Sequence, residues 1–265
     1  MTKNNHTLHP VWRDLLAAVP PPPVVTLIGG GGKTSLMYYL VAGLKAAGRP
    51  GFAVATAKLF VPEGDDRRAA IVTSLAAYRQ AVADWRDSAL IVTLAGERVV
   101  GNQRKLAGLD PAWVDALAGE TDAALIVEGD GSAGLPLKGH LEHDPVVPAA
   151  TRLLVAVVGV DVLGRPLATP YVHRPARAAE LAGVPVGATV SEEIVARLLL
   201  HPDGYLHNCP PGCLVVPFIN KAEGEAGLRA AAGLARTVLA AGNPAVAGVV
   251  IGSIDRREFR FLPQK

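Results

Sequence analysis

Apolar runs of strand length recur along the chain at Val24 to Ile28, Phe52 to Ala55, Leu90 to Leu94, Ala123 to Val127, Leu153 to Val158, Leu214 to Phe218 and Val246 to Ile251. Most are continuous rather than alternating, the pattern of strands covered on both faces, as in a parallel sheet. Between them the pattern predicts helices over Lys33 to Ala47, Arg68 to Trp85, Pro111 to Leu117, Pro175 to Leu181, Glu192 to Leu200 and Glu225 to Ala240. Strand and helix alternate, so the expected class is α/β, with a mainly parallel sheet and flanking helices. Val11 to Val19 reads as a short amphipathic helix that the run Pro20 to Pro23 must end, because proline lacks an amide donor. The expected organisation is a lead-in over residues 1–23 and a single α/β domain over 24–265. Two helix starts are legible: Asp110 before Pro111 as N-cap and first helical residue, and Thr189 with Glu192 as a capping box.

Composition narrows the function classes. Of the 265 residues, 50% are hydrophobic and 19% charged, which excludes a disordered chain. Twenty-six basic residues against 24 acidic ones leave a net charge of +2, so no global field recruits nucleic acid or anionic lipid. The longest apolar stretch, Leu153 to Val160, is interrupted by Gly159 and stopped by Asp161, short of the ~20 residues that span a bilayer. Met1 to Pro10 is polar and lacks the basic-then-apolar order of a secretory signal. Cys209 and Cys213 are too few for a disulfide framework and have no zinc-site spacing, which fits a reduced, cytoplasmic setting.

The strongest chemical signal follows the first strand. Val24 to Ile28 runs into Gly29-Gly30-Gly31-Gly32-Lys33-Thr34-Ser35 and then a helical pattern. Glycines let successive amides turn toward phosphate oxygens, and the helix N-terminus adds partial positive charge. In such a loop Lys33 reaches the β and γ phosphates of a nucleoside triphosphate, and the Thr34 hydroxyl ligates magnesium. Standard Walker A spacing needs a glycine where this chain has Leu27, so the loop is a shortened variant, closer to the G-x-x-G-K-T loop of the Mur ligases. The expected fold is therefore P-loop NTPase-like.

A phosphate loop needs an acid at the end of a neighbouring strand, and Ala124 to Val127 leads directly into Glu128-Gly129-Asp130-Gly131-Ser132. If extended geometry persists, Glu128 and Asp130 point the same way and share a magnesium shell. Thr56 and Lys58, after the second strand, emerge on the same sheet edge and are candidate substrate contacts. Lys138 is a candidate for neutralising developing phosphate charge, and His173-Arg174 for binding an anionic substrate. Asn220-Lys221-Ala222-Glu223 is similar to the N-K-x-D base-reading motif, with glutamate in place of aspartate. His140, His143 and Asp144 read as loop hydrogen-bonding groups rather than a metal site. The stretch Asp130 to Pro148, dense in Gly, Pro, His and charge, has the profile of a functional loop.

Taken together, the motifs resemble the YqeC family, described as selenium cofactor biosynthesis or selenium-dependent hydroxylase accessory proteins. The resemblance rests on the glycine loop, Thr56 to Pro62, Lys105-Leu106-Ala107-Gly108, Glu128 to Ser132 with Leu135 to Lys138, Val158 to Gly164, His173-Arg174-Pro175 and Asn220-Lys221. It implies a cytoplasmic nucleotide-binding factor that helps mature molybdenum hydroxylases carrying labile selenium. The implied partners are a molybdenum cofactor or selenium-bearing small molecule, and a hydroxylase or its maturation factors. The residues add ATP or GTP with magnesium, and phosphoryl transfer or hydrolysis as the chemistry Lys33, Glu128 and Asp130 support. The alternative is a nucleotide-gated chaperone or cofactor-insertion factor in which slow hydrolysis is a timer. A Mur-like ligase fits the loop spacing but lacks a separate ligase domain.

Overall fold

A computed structural model of the chain describes residues 7–264; the beginning of the lead-in, residues 1–6, lies outside them. In chain order the strands are β1 (Val24–Gly29), β2 (Gly51–Ala55), β3 (Leu59–Phe60), β4 (Arg67–Ile71), β5 (Ile91–Ala95), β6 (Arg98–Val99), β7 (Asn102–Leu106) and β8 (Ala124–Glu128). They continue as β9 (Leu137–Lys138), β10 (Leu153–Gly159), β11 (Val172–His173), β12 (Leu214–Asn220), β13 (Gly248–Ser253) and β14 (Glu258–Pro263). The helices are α1 (Pro10–Ala17), α2 (Lys33–Ala46), α3 (Leu75–Trp85), α4 (Pro111–Ala118), α5 (Pro175–Ala182), α6 (Glu192–Leu200) and α7 (Gly224–Ala240).

Nine strands form one sheet in the order β14-β13-β12-β10-β1-β8-β2-β5-β4. Only the β13–β14 pair is antiparallel. Continuous apolar runs form the centre because helices cover both faces and leave no position facing water. Val25 and Leu27 of β1 pack on one face with α1 and α2, while Ile28 packs on the other among residues of α5, α6 and α7. The buried Thr26 hydroxyl is satisfied by the Thr151 hydroxyl at 2.8 Å. The lead-in helix α1 belongs to this core: Trp12 is fully buried, edge-on to Phe218 and Phe259 at ring separations of 5.3 and 5.7 Å. Such aromatic pairs contribute about 0.5–1.5 kcal/mol beyond the area they bury.

Every expected strand is present, with ends shifted by two residues at most. The expected helix over Arg68 to Trp85 is corrected: Arg67–Ile71 is edge strand β4, and α3 starts only at Leu75, capped by the Ser74 hydroxyl. Pairing along all five residues of β5 outweighs the helical propensity of Ala69 and Ala70. Asp110 caps α4 as expected, accepting from the Ala112 amide at 2.9 Å. The cap of α6 is Ser191 rather than Thr189, because Thr189 is held extended in a β-bridge to Pro166.

Strand order decides where the site lies. The chain moves from β1 outward to β2, β4 and β5 on one side, and from β10 to β12 and β13 on the other. Crossovers diverge at β1, and a crevice opens outside the carboxyl ends of the parallel strands. Gly29, Ala55, Glu128, Gly159, Asn220 and Ser253 all end on that edge.

Candidate functional site

The glycine loop turns from β1 into α2 through backbone that an L side chain rarely adopts. Gly31 and Gly32 have φ of +78° and +131°, and a Cβ on either would overlap Gly159 N or Asn220 Nδ2. The amides of the loop divide into two sets. Gly29 N donates to both oxygens of Asp130 at 3.0 Å, Gly30 N to Val157 O at 2.9 Å and Gly31 N to Leu135 O at 3.0 Å. These three amides hold the loop down on protein acceptors. The amides of Gly32, Lys33, Thr34 and Ser35 have no acceptor among the described residues; the helical ladder starts with Leu36 N to Gly32 O, and Gly32 offers no side-chain cap. The N-terminus of a 14-residue helix is thus left open.

The side chains around it are close together and buried. Lys33 Nζ donates to Gly29 O at 2.5 Å and to Ser132 Oγ at 3.3 Å, and lies 3.2 Å from Asp130 and 4.0 Å from Glu128. The Thr34 hydroxyl donates to Glu128 Oε2 at 2.8 Å. Burial pushes the Glu128 carboxyl up from the ordinary carboxylate range against the pull of Lys33 and the Thr34 hydroxyl, and Asp130 adds to the rise. Burial acts in the same sense on Asp130, but Lys33, His140 and Lys138 overcome it and hold that carboxyl far below the usual range.

The two carboxylates face different surroundings. The strand ends at Glu128, and Gly129 turns away with its amide on Leu27 O and its carbonyl on Val146 N, so the alternation that would align Asp130 with Glu128 stops. Glu128 lines the cavity above the loop; Asp130 lies beneath it, 1% exposed. Asp130 also takes Lys138 at 3.0 Å and His140 Nε2 at 2.6 Å, and Lys138 bridges on to Asp144 at 2.8 Å. Arg174 closes the series on Asp144, and His173 sits beside Lys138 where β11 pairs with β9. Burial would raise Asp144, yet Lys138, Arg174 and the Leu141 amide keep it low. Lys138, His173 and Arg174 are therefore brought together behind the loop, outside its cavity. The stretch Asp130 to Pro148 is in large part a buried brace.

The cavity itself is about 340 Å³ and is lined by Gly31 to Ser35, Lys58, Glu128, Asn220 and Lys221 among others. Asn220 spans 189 residues of sequence to hold the loop, donating to Gly31 O at 2.7 Å and accepting from Ile254 N at 3.2 Å. Lys221 pairs with Asp161 at 2.7 Å. Glu223 is drawn aside by the Ser253 hydroxyl at 2.7 Å and by Arg256, and does not line the cavity. Thr56 is buried with its hydroxyl on Val146 O at 2.8 Å, whereas Lys58 is exposed at the rim. Among the described residues there is no cluster of three or more His, Cys, Asp or Glu that could hold a metal by themselves. None of their helices is long and apolar enough to cross a membrane.

Two comparisons bear on this arrangement. The family model described as YqeC protein matches residues 25–176, more than half of the chain. The chain belongs to the YqeC family. It is 32% identical over 196 residues to a protein of Escherichia coli (strain K12) named only as uncharacterized protein YqeC, covering 71% of each chain. The YqeC match contains the glycine loop, Glu128, Asp130 and the brace through Arg174; Asn220 and Lys221 lie beyond it.

Nine cavity residues were not among the site residues expected from the sequence, and Phe60, Lys105, Ile254 and Asp255 are four of them. Phe60 and Lys105 arrive together because β3 and β7 pair antiparallel, with Phe60 opposite Lys105. No local pattern announces that pairing. Ile254 and Asp255 follow β13, and the rule that sites gather beyond the carboxyl ends of parallel strands could have found them.

Proposed function

We propose that this member of the YqeC family binds a nucleoside triphosphate, ATP or GTP, with magnesium, and carries out phosphoryl transfer or hydrolysis in the maturation of selenium-dependent molybdenum hydroxylases. The observation that carries the reading is the open N-terminus of α2: the four amides of Gly32 to Ser35, without acceptors among the described residues, beside the Lys33 side chain and the Thr34–Glu128 pair. An array of this kind binds phosphate oxygens through aligned donors and the helix dipole. The link to hydroxylase maturation, and to a cofactor or selenium-bearing acceptor, comes from the family resemblance alone.

The residues present fit magnesium. Thr34 and Glu128 offer hard oxygen donors 2.8 Å apart, and magnesium commonly takes one or two protein oxygens, completing its shell with phosphates and water. Thr34 and Glu128 would hold it, and bound there it would neutralise charge on the transferring phosphoryl group. Lys33 would exchange its contact with Gly29 O for phosphate oxygens. Asp130 would keep the Gly29 turn in place and stabilise the Lys33 charge without touching the nucleotide. Lys58 and Lys221 would contribute positive charge at the rim.

Calorimetric titration of wild-type and Lys33→Ala protein with non-hydrolysable ATP and GTP analogues, with and without magnesium, tests the reading. Magnesium-dependent binding that weakens at least about tenfold in the variant, some 1.4 kcal/mol, is expected. Equal affinity in the two proteins would overturn it.

A further inference from the structure

Strands β3, β7 and β6 form a small antiparallel sheet of their own at the edge of the main one. It presents Leu59 and Leu106 as a buried cross-strand pair and Phe60 and Lys105 as the next. Beneath this flap is a second cavity of about 460 Å³ that meets the loop cavity at Thr34 and Phe60. The proposed nucleotide site does not use it.

Its charge is one-sided. Arg67, Arg98 and Arg104 line it against a single carboxylate, Glu63. Arg67 is stacked 4.3 Å above the Tyr38 ring, and its buried Nε has no hydrogen-bond acceptor among the described residues, the Asp66 carboxylate standing off at 3.7 Å. The Arg104 side chain has no acceptor among the described residues, and Arg98 donates only to the Gln103 carbonyl. Guanidinium groups left with spare donors around a cavity suit the tetrahedral oxygens of a phosphate, which a planar fork can engage in pairs. At the lip, Phe60 is 57% exposed, with the Lys105 ammonium 4.8 Å from its ring centroid, an apolar platform beside concentrated positive charge.

We propose that the flap cavity is a second anion site, which takes a small phosphate ester through Arg67, Arg98 and Arg104 while the body of the ligand packs on Phe60. Because both cavities open at Thr34, an ester held there lies next to the terminal phosphate of a nucleotide on the loop, in the place of the phosphoryl acceptor. That acceptor role rests on the nucleotide reading; the anion site does not.

Inorganic pyrophosphate is the probe, titrated calorimetrically in two arms. In one, the wild-type chain is first saturated with magnesium and a non-hydrolysable ATP analogue; in the other, nucleotide-free Lys33→Ala protein is used. One pyrophosphate per chain is expected in both arms, weakened at least about tenfold when Arg98→Ala and Arg104→Ala are introduced together. Both arginines are exposed, so an unchanged melting temperature is expected in the double variant. Absence of pyrophosphate binding in the Lys33→Ala arm, or equal affinity with and without the two arginines, would overturn the proposal. Failure of the ATP analogue to bind wild-type protein would sink the nucleotide reading only, since the second arm reads the flap cavity without a nucleotide.

Discussion

The Thr34 hydroxyl donates to the Glu128 carboxylate at 2.8 Å, joining residues 94 apart in sequence where α2 begins and β8 ends. The contact exists because β1 and β8 are parallel neighbours, so the turn after one meets the last residue of the other. It sets an alcohol and a buried carboxylate together at the open end of a helix.

Glu128→Gln is therefore expected to remove the magnesium dependence of nucleotide binding. Since burial raises the Glu128 pKa, protons compete for this carboxylate at a higher pH than its ordinary 4.5. Magnesium affinity in the wild type should fall as the pH drops through that raised value, and the glutamine variant should show no such fall. Calorimetry across a pH series measures both effects.

Asp130→Asn should act on the fold. It strips the countercharge from Lys33 and Lys138 in a buried setting, a change that costs about 3–5 kcal/mol. The wild-type carboxyl is depressed below its ordinary 3.8, so its stabilisation is fully present above that value and is lost as pH falls below it toward the folded pKa. Denaturant titrations of both proteins between neutral pH and pH 3 should show a large gap at neutral pH that narrows with acid.

Asn220→Ala and Glu223→Ala should part company although both belong to the same short motif. Removing Asn220 leaves Gly31 O and Ile254 N unpaired in the interior, at about 1–3 kcal/mol, and should weaken nucleotide binding by releasing the loop. Glu223 points away toward Ser253 and Arg256, so its removal should leave the ratio of ATP to GTP affinity unchanged. Thermal melts and paired titrations separate the two outcomes.

Gly31→Ala should lose nucleotide binding. A side chain at φ +78° costs about 1–2 kcal/mol from the backbone alone, and the new methyl would also strike Gly159. A variant that melts and binds like the wild type would show that the loop is free to rearrange.

Much of this molecule is written in local pattern. Seven strands and most helices follow from apolar runs and their spacing, because a strand buried on both faces or a helix with one buried stripe imposes its period on a short stretch of chain. The glycine loop, Lys33, Thr34 and the acids after β8 are legible for the same reason: each sits where a strand stops, and the parallel order puts those stops on one edge. What separates Glu128 from Asp130 is not local. Glu128 ends β8 and Asp130 follows two residues later, yet one turn at Gly129, fixed by bonds to Leu27 and Val146, sends one carboxylate to the cavity and the other into a buried cluster with Lys138 and His140. The same holds for Arg68 to Ile71, which tertiary pairing moves from an expected helix to a sheet edge, and for Phe60 and Lys105, brought opposite each other by β3 and β7. Sequence alone determined those seven strands, most of the helices and the edge where they converge, since these depend on neighbours a few residues away. Tertiary structure decided which side chains face the cavities, because that choice is made by hydrogen bonds and packing between segments far apart in the chain.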